Sequence, residues 1–189
     1  PTFKKQFPDA ADVYVRKAQR GWAFLERALK QHGADGAYQA LTHYGNEFFH
    51  DDELGWAAAA LFAATGDKQY EQRFADAFNP EDTKTRRWSW WPMFEGWGNA
   101  VRTYVFATRN GRIPRGTANP EFLTRCETLI HSTAANHVRF ARETAYGTSF
   151  PDPNKANKNA GWFFSVERAF DMAVAHTLRK DDALMDAII

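Results

Sequence analysis

Hydrophobic residues recur along most of this chain at intervals of three and four residues, the spacing that one buried face of an α-helix produces. No segment keeps the alternation of period two that is typical of a β-strand. The spacing predicts helices over residues 9–31, 51–64, 67–78, 92–109, 119–143 and 162–178, and a seventh that starts near residue 181. The pattern therefore predicts an all-α protein.

Short polar residues, prolines and glycines mark the ends of these helices. Asp9 is the expected cap of the first helix, and Gly33 lies just past its end. Gly66 closes the second helix. Asn119 stands before Pro120, and proline is favoured at the first helical position, so the fifth helix is expected to begin there.

Long aromatic-rich connections alternate along the chain with short polar ones. The long connections cover residues 44–50, 79–91 and 144–161, and the short ones cover 65–67, 110–111 and 179–180. Trp162 directly follows the third long connection, and Pro92 is expected to open the helix after the second. Alternate helices of an antiparallel array start at the same end. We therefore expect the three aromatic loops to share one face.

A weak internal repeat supports an array of helix hairpins. Four positions recur at one fixed offset: Glu53, Trp56, Asp67 and Tyr70 correspond to Glu167, Phe170, Asp181 and Leu184. Each set spans a helix, a tight turn and the start of a second helix. Repeated hairpins imply a solenoid or a closed ring of helices, and the long, irregular loops on one side favour the closed ring.

Composition narrows the class of protein. The chain has 189 residues, enough for one domain with a sizeable core. Its 24 basic and 23 acidic side chains lack the basic excess of a nucleic-acid-binding protein, and no stretch approaches the roughly 18 apolar residues of a membrane span. Cys126 stands alone, which excludes an internal disulfide. The sequence opens without Met and stops inside a helical pattern, so we expect residues 1–189 to be one internal fragment of a larger domain.

The segment that covers residues 51–70 reads DDELGWAAAALFAATGDKQY. It resembles the central motif of glycoside hydrolase family 9, in which an acidic pair, a leucine, an aromatic residue and a run of small residues lead to a Thr-Gly-Asp turn before a tyrosine. Two weaker matches are Trp88-Ser89-Trp90, and residues 145–147 followed by Trp162. The resemblance extends from about residue 9 onward.

The resemblance implies the middle part of an (α/α)6 barrel. It implies a carbohydrate-active domain that acts on a β-linked glucan or glucosaminide by inverting hydrolysis, in which one carboxyl group is the acid and another the base. The motifs that carry both groups in the family are absent, so no catalytic residue is expected here and the fragment alone is expected to be inactive. Asp9 and Asp12 imitate one such spacing, but they lie at the start of an amphipathic helix.

The same resemblance implies two partners, which are an oligo- or polysaccharide and the remainder of the parent catalytic domain. The charge balance and the lack of a long apolar stretch predict no nucleic-acid and no membrane partner, and no cofactor is expected. It favours a secreted or periplasmic location for the parent.

Aromatic residues of the shared face are the expected sugar-binding residues, because flat rings suit the apolar faces of sugars. They are Trp162, Trp90, Trp91, Phe49 and Tyr146, with His50 as a hydrogen-bond donor. The alternative is that these rings plug the end of the barrel.

The acidic start of the second helix is the other candidate site. Three acids in a row are ordinary at a helix N-terminus, but the resemblance implies a calcium ion near the pair Asp52 and Glu53. Trp91 stands where the family has a further aspartate, so no metal is expected. The six histidines show no zinc-binding spacing.

Two other classes of function remain open. One is another α/α-toroid hydrolase or lyase, for example one that acts on α-mannan, for which Asp51 and Asp52 would be suitably placed. The other is a non-catalytic helical module that binds a sugar or a protein. An Asp-x-x-Asp motif upstream and a glutamate downstream in the parent would favour the family 9 enzyme over both.

Overall fold

The computed structural model describes residues 4–33, 51–81, 92, 93, 95–144, 147 and 161–188, without the side chains of residue 95 and residues 161–166. Across these ranges it contains seven helices and no strand, which confirms the prediction of an all-α protein. The helices are α1 (Pro8–His32), α2 (Asp51–Thr65), α3 (Lys68–Ala77), α4 (Glu95–Arg109), α5 (Pro120–Glu143), α6 (Gly161–Leu178) and α7 (Asp182–Asp186). None of the described helices is long and apolar enough to cross a membrane.

Most helix ends lie where the sequence predicts them. Gly33 and Gly66 adopt left-handed φ angles of 69° and 72° just past α1 and α2, a conformation that glycine reaches without strain. α5 begins at Pro120, as expected from proline at the first helical position. α3 begins after Asp67, whose carboxylate accepts a hydrogen bond from the amide of Gln69 at 3.0 Å.

Two predicted helix starts are wrong. α1 begins at Pro8 with Phe7 as its cap residue and no side-chain cap bond, so Asp9 lies inside the first turn. Proline at the first helical position starts the helix one residue earlier than the expected cap. α4 begins at Glu95 rather than at Pro92, and Pro92 lies in a turn.

The chain divides into two compact units. The first comprises Pro1–Asn79 and Glu95–Pro120, and it contains α1 to α4. The second comprises Pro80–Phe94 and Glu121–Ile189, and it contains α5 to α7. That residues 1–189 form a single domain stays a prediction.

The core of the first unit is built from aromatic rings between α2, α3 and α4. Phe78 stacks on Trp97 with ring centroids 4.8 Å apart, and Phe62 lies 5.7 Å from Tyr104. Phe74 contacts both Phe78 and Tyr104. All five rings are buried, and burial of large apolar side chains is the main stabilising contribution to such a core.

α2 is buried along part of its surface and exposed along the rest. Ala58 and Ala59 are fully buried, as its small-residue run predicts, but Ala60 is exposed. Trp56 on the same helix is 42% exposed. Within the described residues, the neighbouring helices therefore cover only part of the circumference of α2.

α1 is amphipathic but packs lightly on the rest of the first unit. Ala11 is the one buried residue of this helix. Its described contacts include the edge of Trp22 on the ring of Tyr70, with centroids 5.9 Å apart, and an ion pair of 3.0 Å between Glu26 and Arg73. These contacts close the groove between α1 and α3.

The second unit has a largely aliphatic core. One face of α5 contributes Phe122, Cys126, Leu129, Ile130 and Val138, all buried. Met172 and Ala175 of α6 are buried as well, and so is Leu184 of α7.

Candidate functional site

The acidic start of α2 lies against the start of α4. Asp52 is only 6% exposed, and its Oδ2 accepts a hydrogen bond of 2.9 Å from the backbone amide of Gly96. Gly96 is the second residue of α4, so its amide has no partner inside its own helix. Asp52 therefore caps α4 from the neighbouring helix.

Two glycines allow this close approach. A Cβ atom at Gly96 would lie 2.8 Å from Oδ2 of Asp52 and 2.9 Å from its carbonyl carbon. A Cβ atom at Gly55 would overlap the ring of Trp97. The two helices thus begin at the same end, as the alternating loop lengths predict for α2 and α4. That the loop before α6 joins them on one face stays a prediction.

Trp56 lies one turn beyond this contact. Its indole Nε1 donates a hydrogen bond of 3.2 Å to Oγ1 of Thr103 on α4, while 42% of the residue remains exposed. The ring is therefore anchored at one edge and accessible elsewhere. In the sequence, Trp56 belongs to the family motif and to the internal repeat, and neither assigns it to a site. Its place one turn from the acidic pair was the signal that it belongs to the candidate site.

Glu53 also lies in the first turn of α2, and the pKa of its carboxyl group is raised. Partial desolvation of its carboxyl group, followed by a hydrogen bond and charge repulsion from Asp52 and repulsion from Asp51, raises the pKa of Glu53 to about 7. The residue remains solvent-exposed. Near neutral pH its carboxyl group is able to donate or accept a hydrogen bond.

The described residues do not fit a calcium ion at this position. Calcium takes six to eight oxygen ligands, and within the described ranges no three His, Cys, Asp or Glu side chains converge on one point. Oδ2 of Asp52 is already bound by the amide of Gly96. The expectation that no metal binds here stays a prediction.

The predicted sugar-binding residues fall where the structure gives no side chains. Phe49, His50, Trp90, Trp91 and Tyr146 lie outside the described residues. Trp162 lies in the first turn of α6, and its side chain is not described. Their grouping on one face therefore stays a prediction.

A buried polar cluster in the second unit was not anticipated from the sequence. Nε2 of His137 on α5 lies 3.4 Å from Oδ2 of Asp171 on α6, and both residues are buried. Arg168, one turn before Asp171, is fully buried, and this burial lowers its pKa to about 10 against the opposing effect of Asp171. The spacing of Arg168 and Asp171 in an apolar helix was the available signal.

Burial also determines the charge of His137. It lowers the pKa of His137 below the ordinary value of 6.5, and Arg168 lowers it further, while the contact with Asp171 opposes both. His137 is therefore neutral at pH 7. The cluster brings together a guanidinium, a carboxylate and a neutral imidazole inside the unit.

The first unit contains a buried carboxylate of a different kind. Glu71 is 5% exposed, and its Oε1 accepts hydrogen bonds from the hydroxyl of Tyr104 at 2.5 Å and from the amide of Asn119 at 2.6 Å. Glu71 therefore links α3 to α4 and to the segment that leads into α5. Its bonds give it a structural role.

One comparison with known proteins identifies the family of this chain. The model of glycosyl hydrolase family 9 matches residues 2–188, nearly the whole sequence. Neither the curated proteins nor the solved structures give a significant match. The family has the (α/α)6 barrel fold, with which the all-α structure of the described residues is consistent, and its members act on polysaccharides. The all-α chain therefore belongs to glycosyl hydrolase family 9.

Proposed function

We propose that this chain is the middle part of a family 9 catalytic domain that hydrolyses a β-linked glucan or glucosaminide with inversion. The observation that carries the proposal is the family match over residues 2–188. The joined starts of α2 and α4 support it, since they place the acidic family motif, Trp56 and Glu53 at one end of neighbouring helices.

The catalytic carboxyl groups are proposed to come from residues other than these 189. Inverting hydrolysis needs two carboxyl groups about 6.5–9.5 Å apart, one to protonate the leaving oxygen and one to activate water. The three buried carboxylates of the described part are all engaged in the fold. Asp52 binds the amide of Gly96, Glu71 binds Tyr104 and Asn119, and Asp171 contacts His137.

The role proposed for this chain is to support and bind the sugar. Phe49 and His50 directly precede α2, where Trp56 presents an exposed ring. Trp90, Trp91, Tyr146 and Trp162 are proposed to extend the same aromatic surface. Aromatic rings give rigid apolar contact area to the faces of β-linked sugars.

A non-catalytic sugar-binding module is the second candidate. The engagement of Asp52, Glu71 and Asp171 in structural contacts favours it. Family membership by itself does not establish that the parent hydrolyses a substrate.

The test uses the parent protein that the proposal requires. It is incubated with carboxymethylcellulose, with chitosan and with α-mannan, and released reducing ends are measured. Proton NMR then identifies the first anomer that appears. We expect release from a β-linked substrate only, with the α-anomer formed first. Release from α-mannan alone, or the β-anomer first, overturns the proposal. Binding without hydrolysis establishes the second candidate.

A further inference from the structure

A surface cleft of about 440 Å³ lies wholly within the second unit. It runs along the C-terminal half of α5 and is closed on the other side by the α6–α7 connection and α7. Ala135, Val138 and Leu184 are apolar residues of its lining. Arg142 on α5 and Arg179 just after α6 line it as well.

The charges around this cleft are not balanced. A third arginine, Arg139, pairs with Glu143 at 2.9 Å. The other acid of the lining, Asp181, caps α7 by accepting a hydrogen bond of 3.1 Å from the amide of Ala183. Arg142 and Arg179 make no ion pair or side-chain hydrogen bond in the described part of the chain.

His131 also lines the cleft. Partial burial lowers the pKa of His131, and the charge of Arg179 lowers it further, although Glu127 and Asp181 oppose this. The imidazole is therefore neutral at pH 7 and adds no charge to the cleft. It adds one hydrogen-bonding group to the lining.

We propose that this cleft binds a small organic anion. Its carboxylate or phosphate group lies between Arg142 and Arg179, and its apolar body rests on Ala135, Val138 and Leu184. Guanidinium groups bind both kinds of oxyanion through paired N–H donors. An apolar lining with a few polar groups at its edge is the usual make-up of a small-molecule site. The proposal does not depend on sugar hydrolysis.

The full chain is titrated with benzoate, phenyl phosphate and benzyl alcohol, and binding is followed by calorimetry. These probes share one ring and differ in the attached group. We expect at least one of the two anions to bind, with an affinity that falls as salt is added, and benzyl alcohol not to bind. The stronger of the two anions identifies the preferred group.

Two variants locate the binding. The double change Arg142→Gln with Arg179→Gln is expected to weaken anion binding by about tenfold or more, since it removes two charge-assisted contacts. The control pair Arg112→Gln with Arg115→Gln makes the same charge change at exposed arginines outside the cleft. It is expected to leave the affinity unchanged.

Ala135→Trp supplies a second readout, because it places a large ring on the α5 side of the cleft. We expect it to abolish binding while circular dichroism shows unchanged helicity. Equal affinities in the double variant and its control overturn the proposal. So does binding of benzyl alcohol as strongly as of the anions, or no binding of either anion to the unmodified chain.

Discussion

The hairpins α2–α3 and α6–α7 share their turn chemistry. Asp67 accepts a hydrogen bond from the amide of Gln69 at 3.0 Å, and Asp181 does the same with the amide of Ala183 at 3.1 Å. The next matched position is buried in both, as Tyr70 in one unit and Leu184 in the other. The repeat expected from the sequence is thus present in the structure at both turns.

The interiors of the two units differ. In the first, the buried carboxylates of Asp52 and Glu71 accept bonds from backbone amides, and aromatic rings fill the space around them. In the second, a neutral histidine and the fully buried Arg168 lie beside Asp171. The turns and helix caps of the two hairpins are therefore alike, although the side chains that fill the two interiors are different. The two units should therefore respond differently to mutation and to pH.

The largest expected effect concerns the buried carboxylate of the first unit. Glu71→Ala removes the carboxylate that accepts from the hydroxyl of Tyr104 and from the amide of Asn119. We expect it to lower the free energy of unfolding by about 3 kcal/mol, as measured by urea denaturation. Tyr104→Phe removes only one of the two bonds and should cost about 1 kcal/mol. Equal losses in the two variants would contradict the description of Glu71 as a shared acceptor.

The next largest loss of stability is expected where α2 and α4 approach closely, at Gly96. Gly96→Ala places a methyl group against the backbone of Asp52, and we expect a loss of about 2 kcal/mol in unfolding free energy. Gly21→Ala is the matched control, because Gly21 lies within α1 and a Cβ atom added there would meet no atom within 4 Å. It should stabilise the chain by roughly 0.5–1 kcal/mol. Similar effects at both glycines would show that the contact is loose.

Trp162 tests whether the start of α6 binds sugar. In the parent protein, Trp162→Ala should weaken oligosaccharide binding by roughly 1–3 kcal/mol, by analogy with stacking on other flat rings, and should leave the melting temperature nearly unchanged. A ring that only plugs the barrel would instead cost on the order of 3–5 kcal/mol of stability. A large drop in melting temperature with unchanged sugar affinity removes Trp162 from the site.

The smallest expected effects are opposite pH dependences of the unfolding free energy, one from Glu53 and one from His137. The raised pKa of Glu53 means that its contribution to stability is present below pH 4.5 and is lost as the pH rises toward about 7. The lowered pKa of His137 has the reverse consequence, because its contribution is complete above pH 6.5 and is lost as the pH falls below that value.

Glu53→Gln separates the two contributions. The glutamine side chain does not titrate, so the stability of the unmodified chain relative to this variant should fall as the pH rises from 4.5 to about 7. Chemical denaturation at several pH values measures the difference. A difference that stays constant across this range would contradict the assigned pKa of Glu53.

Features fixed by neighbours in the sequence were predictable. The glycines after α1 and α2 and the proline at the start of α5 all lie where local rules place them. The start of α4 was not predicted, because the carboxylate that caps it belongs to Asp52 on another helix. No pattern within residues 92–96 records that contact.

In the candidate site, too, features set by neighbouring residues were predictable and features set by tertiary contacts were not. The order of acidic pair, small-residue run and Thr-Gly-Asp turn was enough to indicate the family. The bond of Asp52 to Gly96, the anchored ring of Trp56 and the burial of Arg168 all depend on which helices meet. Such tertiary contacts cannot be derived from spacing along one helix.

The most direct test of the central claim compares the 189-residue chain with its parent on carboxymethylcellulose and on a chromogenic cellobioside. If this chain supplies helices and sugar contacts but no catalytic pair, the parent hydrolyses the substrate and the isolated chain does not. Circular dichroism must show that the isolated chain is helical. Hydrolysis by the helical 189-residue chain alone would contradict the account, because the catalytic carboxyl groups would then lie among its own residues.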